Sequence, residues 1–191
     1  MRGAHLNPAV TLAQAIFRGF PLDEVLLYWV SQLLGAFVGA VIVFIINYHG
    51  FQIADRSSTI GIFVTGLQTD SVSTAAAFGA EFFGTAFLML VILATSDEGN
   101  SPAGNIQPLI IGLLIVALIN SFGYQSGCAL NPARDLAPRV FIALAGWGTE
   151  AFTRQAYYFW VPIVAPFAGA IAGALSYDVL VYSSRPSPLS N

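Results

Sequence analysis

Two short stretches of this chain contain the residues whose types and spacing could act on a solute. The tetrapeptide Leu-Asn-Pro-Ala occurs at 6–9 and again at 130–133, and in each copy a Leu-Ala pair follows two residues later. A single Asn-Pro is a common turn dipeptide, but two matched copies in a strongly apolar chain favour another interpretation. Asn caps free amides at a helix start, and Pro suits the first helical position because it has no N–H to lose. The sequence therefore predicts that Asn7 and Asn131 each open a helix.

The composition indicates a chain that lies in the lipid bilayer. Of its 191 residues, 56% are hydrophobic and 9% are charged, which leaves too few polar groups to coat a soluble globule. The seven basic residues are all Arg and are scattered, so no basic patch for nucleic acid is predicted. The single cysteine, Cys128, excludes an internal disulfide and a cysteine metal cluster. The sequence has no catalytic constellation or metal-ligand spacing, so an enzyme is the least favoured class, and no cofactor or metal is expected.

Hydrophobic segments of two lengths position the two motifs. A helix from Pro8 to about Phe17 would rise roughly 15 Å, half of a hydrocarbon core of about 30 Å, and the segment from Pro132 to about Leu144 is also short. The segments predicted to span the membrane are 25–46, 74–95, 106 to about 122, and 157–177. Polar loops are predicted at 49–73, 97–105 and 144–154. Three spans separate the half-helices, so these enter from opposite faces as an inverted repeat.

Half-helices that enter from opposite faces bring their N-termini together at the middle of the membrane. Each N-terminus carries roughly half a positive charge from the aligned peptide dipoles, and this charge repels cations. Pro8 and Pro132 fix the helix starts, while Asn7 and Asn131 present side-chain amides to a passing hydroxyl or water. The segments 3–6 and 127–130 are expected to be extended and to turn carbonyl groups towards the passage. The pattern predicts a passage for neutral solutes that form hydrogen bonds.

The local sequence around both motifs resembles the aquaporin and aquaglyceroporin family of channels. Gly3-Ala-His-Leu-Asn-Pro-Ala-Val-Thr11 looks like the first signature motif of that family, and Asn131-Pro-Ala-Arg-Asp135 looks like the second motif in its glycerol-conducting form. The resemblance implies an all-α membrane protein, an aquaporin-like inverted-repeat helical bundle with two re-entrant Asn-Pro-Ala half-helices. It also implies a passive channel for glycerol, water and similar small neutral solutes, in a homotetramer and most often in the plasma membrane.

The resemblance assigns roles to individual residues. Arg134 would form the outer constriction, donate to solute oxygens and exclude cations. Asp135 would pack against the second half-helix and mark the wider pore, and Glu81 would accept hydrogen bonds from irregular backbone beside a half-helix. Cys128 stands where glycerol channels usually have an aromatic residue. The residues assigned to the pore and its selectivity are Asn7, Asn131, Arg134, Cys128, Ile119 and His5.

Members of the family have two further spanning helices before the first motif, so we expect an N-terminally incomplete channel domain at residues 1–183. The tail at 184–191 is expected to be disordered because it is rich in Pro and Ser. Two alternatives remain open: a non-conducting fragment of such a channel and, less favoured, a secondary transporter with broken helices. The neighbouring Arg134 also predicts a reactive Cys128 thiolate that projects into the pore, where a mercurial would block it.

Overall fold

The computed structural model describes residues 3–100 and 102–182, and this part of the chain is built from helices. Its α-helices are, in chain order, α1 (Pro8–Arg18), α2 (Leu22–Ile46), α3 (Tyr48–Ile53), α4 (Arg56–Phe63), α5 (Thr74–Ser96), α6 (Gln107–Ser126), α7 (Pro132–Ile142), α8 (Glu150–Tyr157) and α9 (Val161–Leu180). Short 3-10 turns precede α6 and α9, and a π turn at Ala143–Trp147 follows α7.

The two half-helices begin and end close to the predicted positions. α1 and α7 have 11 residues each, and the preceding Asn residue caps each of them. The side-chain oxygen of Asn7 accepts from the N–H of Ala9 at 2.9 Å, and that of Asn131 accepts from the N–H of Ala133 at 3.0 Å. α1 stops at Gly19, whose left-handed backbone (φ 68°) is readily available to glycine. The prediction of two short helices opened by Asn-Pro is confirmed.

The predicted membrane spans are also confirmed. Among the described residues, the helices long and apolar enough to cross a membrane are α2, α5, α6 and the stretch from α8 through α9, which is kinked by left-handed backbone at 155–157. α6 continues to Ser126, four residues beyond its predicted end. α5 and α9 bury much of their surface inside the protein, whereas α2 and α6 leave most of theirs exposed. The long helices α5 and α9 therefore form the centre of the described bundle.

Small residues allow α5 and α9 to approach each other closely. A Cβ atom on Gly169 would collide with the carbonyl oxygen of Phe82, and one on Gly173 would collide with that of Ala86. Backbone atoms cannot move aside as a flexible side chain can, so a larger residue at either glycine would force the helices apart. Close packing over small residues is typical of helix pairs in lipid.

The internal repeat relates α2 to α9 in sequence, but the two helices differ in how they are packed. The sequence Phe-Val-Gly-Ala at 37–40 on α2 matches Phe-Ala-Gly-Ala at 167–170 on α9, so Gly39 corresponds to Gly169. Apart from the neighbouring backbone of α2 itself, no atom of the described residues lies within 4 Å of the position that a Cβ would take on Gly35 or Gly39. The face of α2 that corresponds to the α5-packing face of α9 is therefore open in the described part of the chain.

The prediction of a polar loop at 49–73 is wrong for its first half, which is helical. Residues 48–63 form α3 and α4, because Phe51, Ile60 and Phe63 are buried in an aromatic cluster with Phe141 and Trp147. The predicted loop at 144–154 likewise consists of the π turn and α8. Burial of aromatic surface outweighs the turn-forming residues between these helices. The tail predicted to be disordered, 184–191, lies outside the described residues.

Candidate functional site

The two half-helices meet through their first residues. The side-chain amide of Asn7 donates to the carbonyl of Leu130 at 2.6 Å, and that of Asn131 donates to the carbonyl of Leu6 at 2.9 Å. Each asparagine thus binds the residue that precedes the other, as the inverted repeat requires. An amide nitrogen carries two hydrogens, so each Asn keeps a second N–H after this bond. The positive N-terminal ends of α1 and α7 are brought together at this contact.

The segments before the two motifs differ in conformation. Gly127, Cys128 and Leu130 have φ angles of 79°, 53° and 52°, so the prediction that 127–130 is extended is wrong. The described residues of the first segment have no such angles. The carbonyl of His5 accepts from the side chain of Gln32 at 2.6 Å. A carbonyl oxygen has two lone pairs, so a carbonyl group that is bound in this way can still accept a hydrogen bond from a solute that reaches it.

Glu81 holds the left-handed segment from inside the protein. Its side chain lies on α5 and is fully buried. One carboxylate oxygen accepts from the N–H of Ala129 at 2.7 Å, and the other accepts from the N–H of Leu130 at 2.7 Å. These are the last two backbone donors before Asn131, and in lipid they would have no other partner. The carboxylate therefore satisfies the irregular backbone and fixes the start of α7.

Arg134 lies on the first turn of α7 between two cavities. A cavity of about 490 Å³, which we call the α2 cavity, is lined by the open face of α2 together with Leu6, Asn131 and Arg134. A second cavity of about 260 Å³, which we call the polar cavity, is lined by residues of the segment 64–68 together with Gly127, Arg134 and Arg154. Arg134 is the one residue that lines both of these cavities. Its guanidinium donates to the carbonyl of Phe63 at 3.2 Å.

Asp135 does not pair with its neighbour Arg134 but with Arg139, one turn further along α7. The Nε of Arg139 donates to the Asp135 carboxylate at 2.5 Å, and both side chains are buried. The N–H and hydroxyl of Thr65 donate to the same carboxylate at 2.7 and 2.6 Å. The remaining nitrogens of Arg139 donate to the carbonyls of Ala151 and Thr65 at 2.7 and 2.6 Å. This network joins α7 to α8 and to the segment that lines the polar cavity.

Arg139 is not among the functional residues predicted from the sequence. The available signal was its spacing, because residues four apart on a helix face each other and an Asp-Arg pair at that spacing can form a salt bridge. A buried Arg requires a partner, since an unpaired charge in the interior is costly. The pairing occupies the Asp135 carboxylate, so the Arg134 guanidinium forms no ion pair with its neighbour and remains available at the two cavities.

Cys128 differs from its predicted position. Its side chain is 6% exposed and belongs to an apolar cluster that includes Leu88, Met89 and Leu118, and it lines neither cavity. In the turn between α6 and α7, burial and the nearby Glu81 carboxylate raise the pKa of Cys128 to about 12, and Arg134 lowers it by less. The expectation of a thiolate that projects into the pore is therefore wrong, because removal from water favours the neutral thiol more than the guanidinium favours the anion.

Ile119 and His5 also lie away from the two cavities. Ile119 is 48% exposed on α6, a helix that contacts the other described helices mainly through α5. The ring of His5 packs against Phe20 and Tyr28, with centroid distances of 5.0 and 5.6 Å. The structure therefore brings Asn7, Asn131 and Arg134 together and leaves the side chains of Ile119 and His5 outside this group.

Known proteins resemble this chain over nearly its whole length. Residues 1–177 match the family model of the major intrinsic proteins. The chain is 42% identical over 197 residues to aquaglyceroporin-2 of Rhizophagus irregularis, with 98% of this chain and 62% of the relative covered. It is 41% identical over 195 residues to aquaglyceroporin-4 of Botryotinia fuckeliana, with 98% of this chain and 27% of the relative covered. The chain thus spans less than two thirds of the length of these relatives.

The fold has a matching solved structure. The X-ray structure of the aquaglyceroporin from Plasmodium falciparum superposes with a TM-score of 0.83 at 38% sequence identity. The match covers 94% of this chain and 73% of that structure. The inverted-repeat helical bundle predicted from the two motifs is confirmed by this similarity.

Proposed function

The chain belongs to the major intrinsic protein family, and from this premise we propose that it forms the pore of a passive channel for glycerol, water and similar small neutral solutes. The observation that carries the proposal is the contact between the two half-helix starts, in which Asn7 binds Leu130 and Asn131 binds Leu6. This contact leaves one N–H on each amide for a solute, between two positive helix ends. A hydroxyl or a water can replace its lost hydration there, whereas a cation is repelled.

The selective constriction in this proposal is Arg134. Arg134 lines both the α2 cavity and the polar cavity, so in this proposal a solute that moves between them passes its guanidinium. One of its five N–H donors is used by the Phe63 carbonyl, which leaves several for solute oxygens. A fixed positive charge at this point adds to the two helix dipoles in excluding cations, including hydronium.

In this proposal, Asp135 is the residue from which we assign glycerol, and not only water, as a permeating solute. The fully buried carboxylate is held by Thr65 and Arg139 within the protein. Its bonds keep it out of both cavities, so it takes no space from a solute. Relatives whose names contain aquaglyceroporin support the same assignment.

The open face of α2 needs a partner in a working channel. Gly35 and Gly39 line the α2 cavity, and no described atom packs against them, although the corresponding Gly169 packs against α5. Lipid on this face would bring hydrocarbon next to the polar groups of Asn131 and Arg134, which lipid cannot satisfy. In our proposal another spanning helix covers this face in the way that α5 covers α9. The proposed assembly is a homotetramer in the plasma membrane, and the exposed apolar surfaces of α2 and α6 are available to neighbouring subunits or lipid.

A secondary transporter is the second candidate, and the buried charges argue against it. Ion coupling needs ionisable groups in the membrane that can exchange a proton or an ion. The Glu81 carboxylate is occupied by two backbone N–H groups, and the Asp135 carboxylate is occupied by Thr65 and Arg139. Coupling through either group would require these contacts to break in each cycle.

Glycerol flux into proteoliposomes tests the proposal. Vesicles are shrunk in a glycerol gradient, and their re-swelling is compared with that of empty vesicles and with the variants Asn131→Ala and Asn120→Ala. Asn120 is a matched control, because its exposed amide binds only the Val116 carbonyl of its own helix. We expect re-swelling with the unchanged protein and with Asn120→Ala, and a marked loss with Asn131→Ala. Folded protein that gives no re-swelling above empty vesicles would contradict the proposed function.

A further inference from the structure

The polar cavity contains two guanidinium groups and no lining carboxylate. Arg134 and Arg154 both line this space of about 260 Å³, and among the described lining residues none is Asp or Glu. The nearby Asp135 carboxylate is fully buried and bound to Arg139 and Thr65, so it does not neutralise the cavity. The volume is large enough for about eight water molecules at roughly 30 Å³ each, which is ample for a small organic solute.

Among the described residues, most N–H donors of these two guanidinium groups have no partner. The Arg134 guanidinium donates once, to the Phe63 carbonyl at 3.2 Å, and the backbone N–H of Arg134 caps its own helix on Asn131. The Arg154 side chain is half-buried, and its guanidinium has no hydrogen bond or ion pair with another described residue. Two donors of other lining residues are already used within the protein: the Thr65 hydroxyl donates to Asp135, and the Leu67 N–H donates to the side chain of Gln155. The cavity therefore presents free donors and a net positive charge.

An unusual backbone places Arg154 at this cavity. The next three residues, Gln155, Ala156 and Tyr157, have φ angles of 53°, 54° and 64°. Residues other than glycine rarely adopt this left-handed backbone conformation. Gln155 fixes this turn, because its side-chain oxygen accepts from the Leu67 N–H at 2.8 Å and its nitrogen donates to the Leu67 carbonyl at 2.7 Å. The segment 64–68, which lines the cavity, and the turn at 155–157, which follows Arg154, are thus held by hydrogen bonds within the protein before any ligand arrives.

From this geometry we infer that the polar cavity is a binding site for a small hydroxy-carboxylate. A carboxylate is planar and has two acceptor oxygens, so it matches the fork of a guanidinium in bidentate pairs. A hydroxyl on the same molecule can use the remaining N–H groups of the second arginine. Binding at this site follows from the cavity alone. A bound anion would also occupy the space next to Arg134, so it should inhibit glycerol entry competitively, and this second consequence rests on the proposed channel function.

The test is a titration of lactate, with lactamide as its neutral analogue, into the protein in lipid nanodiscs. Binding is followed by saturation-transfer NMR on the small molecule, so it does not depend on conduction. The variants are Arg154→Gln, Arg154→Lys and, as a control that removes the same charge elsewhere, Arg18→Gln. Arg18 pairs with Asp178 at 2.5 Å and lies outside the polar cavity.

We expect lactate to bind at least about tenfold more tightly than lactamide, because charge-assisted bonds to the guanidinium groups are lost with the neutral amide. Arg154→Gln should weaken lactate binding about tenfold or more, Arg154→Lys should weaken it less, and Arg18→Gln should change it less than about twofold. Equal affinities for lactate and lactamide, or an unchanged affinity in Arg154→Gln, would overturn the inference. Glycerol flux is measured on the same preparations: flux without lactate binding overturns only this site, and lactate binding without flux contradicts only the channel.

Discussion

Replacement of Glu81 by Gln tests how the second half-helix is held in place. The carboxylate accepts one backbone N–H on each oxygen, from Ala129 and from Leu130, both at 2.7 Å and fully buried. A glutamine keeps one acceptor oxygen but turns an NH₂ group towards the other N–H. The variant therefore loses one charge-assisted bond and leaves a buried donor unpaired, at a cost of about 1.5–3 kcal/mol. Glu81→Ala loses both bonds, at about 3–6 kcal/mol if the two costs add.

The assay combines thermal unfolding in detergent with glycerol flux in vesicles. At about 2–4 °C per kcal/mol for a chain of this size, Glu81→Gln should lower the Tm by roughly 3–12 °C. Flux should fall as well, because the Leu130 carbonyl that binds Asn7 belongs to the loosened segment. Glu98→Gln is the control, since Glu98 is exposed beyond the end of α5 and its replacement should shift stability by no more than about 0.5 kcal/mol. A Glu81→Gln protein with unchanged Tm and unchanged flux would refute this account of the carboxylate.

Three further substitutions follow from contacts in the structure. Arg139→Met leaves the buried Asp135 carboxylate without its Arg partner and should destabilise the protein by about 3–5 kcal/mol, measured as loss of folded protein in size-exclusion chromatography. The double variant with Asp135→Asn should recover part of that loss, and no recovery would count against the pairing. Cys128→Ser should leave glycerol flux unchanged. The protein with Cys128 in place should react slowly with mercurials at pH 7–9, because a thiol with a pKa of about 12 stays protonated there. Rapid labelling with block of flux would show that the thiol is accessible. Gly169→Leu should prevent folding, because its side chain would collide with the Phe82 carbonyl, and a monodisperse, thermally stable variant would contradict the close α5–α9 packing.

Features that depend on local sequence could be predicted. Asn before Pro gives both the cap and the first helical residue, so the starts of α1 and α7 follow from the motif alone. The long spans follow from length and apolar composition. A buried carboxylate in a span requires hydrogen-bond partners; the family resemblance implied that Glu81 has them in irregular backbone, and the structure has two such bonds.

Features that depend on tertiary packing could not be predicted. The left-handed backbone at Cys128 and Leu130 is stable because Glu81 binds two N–H groups beside it, and no local propensity of Cys or Leu indicates such a conformation. The burial of Cys128 follows from that turn. α3 and α4 form because their aromatic residues bury against Phe141 and Trp147, which lie about 80 residues or more further along the chain.

The measurement that tests the central claim most directly is the rate of glycerol entry into proteoliposomes as a function of glycerol concentration and temperature. In the proposed channel, a solute that passes Asn7, Asn131 and Arg134 needs no conformational cycle of the protein. The account therefore predicts entry well above that of empty vesicles, a rate that rises in proportion to glycerol concentration, a weak dependence on temperature and no need for an ion gradient. Entry equal to that of empty vesicles, or a saturable rate that requires an ion gradient, would contradict it.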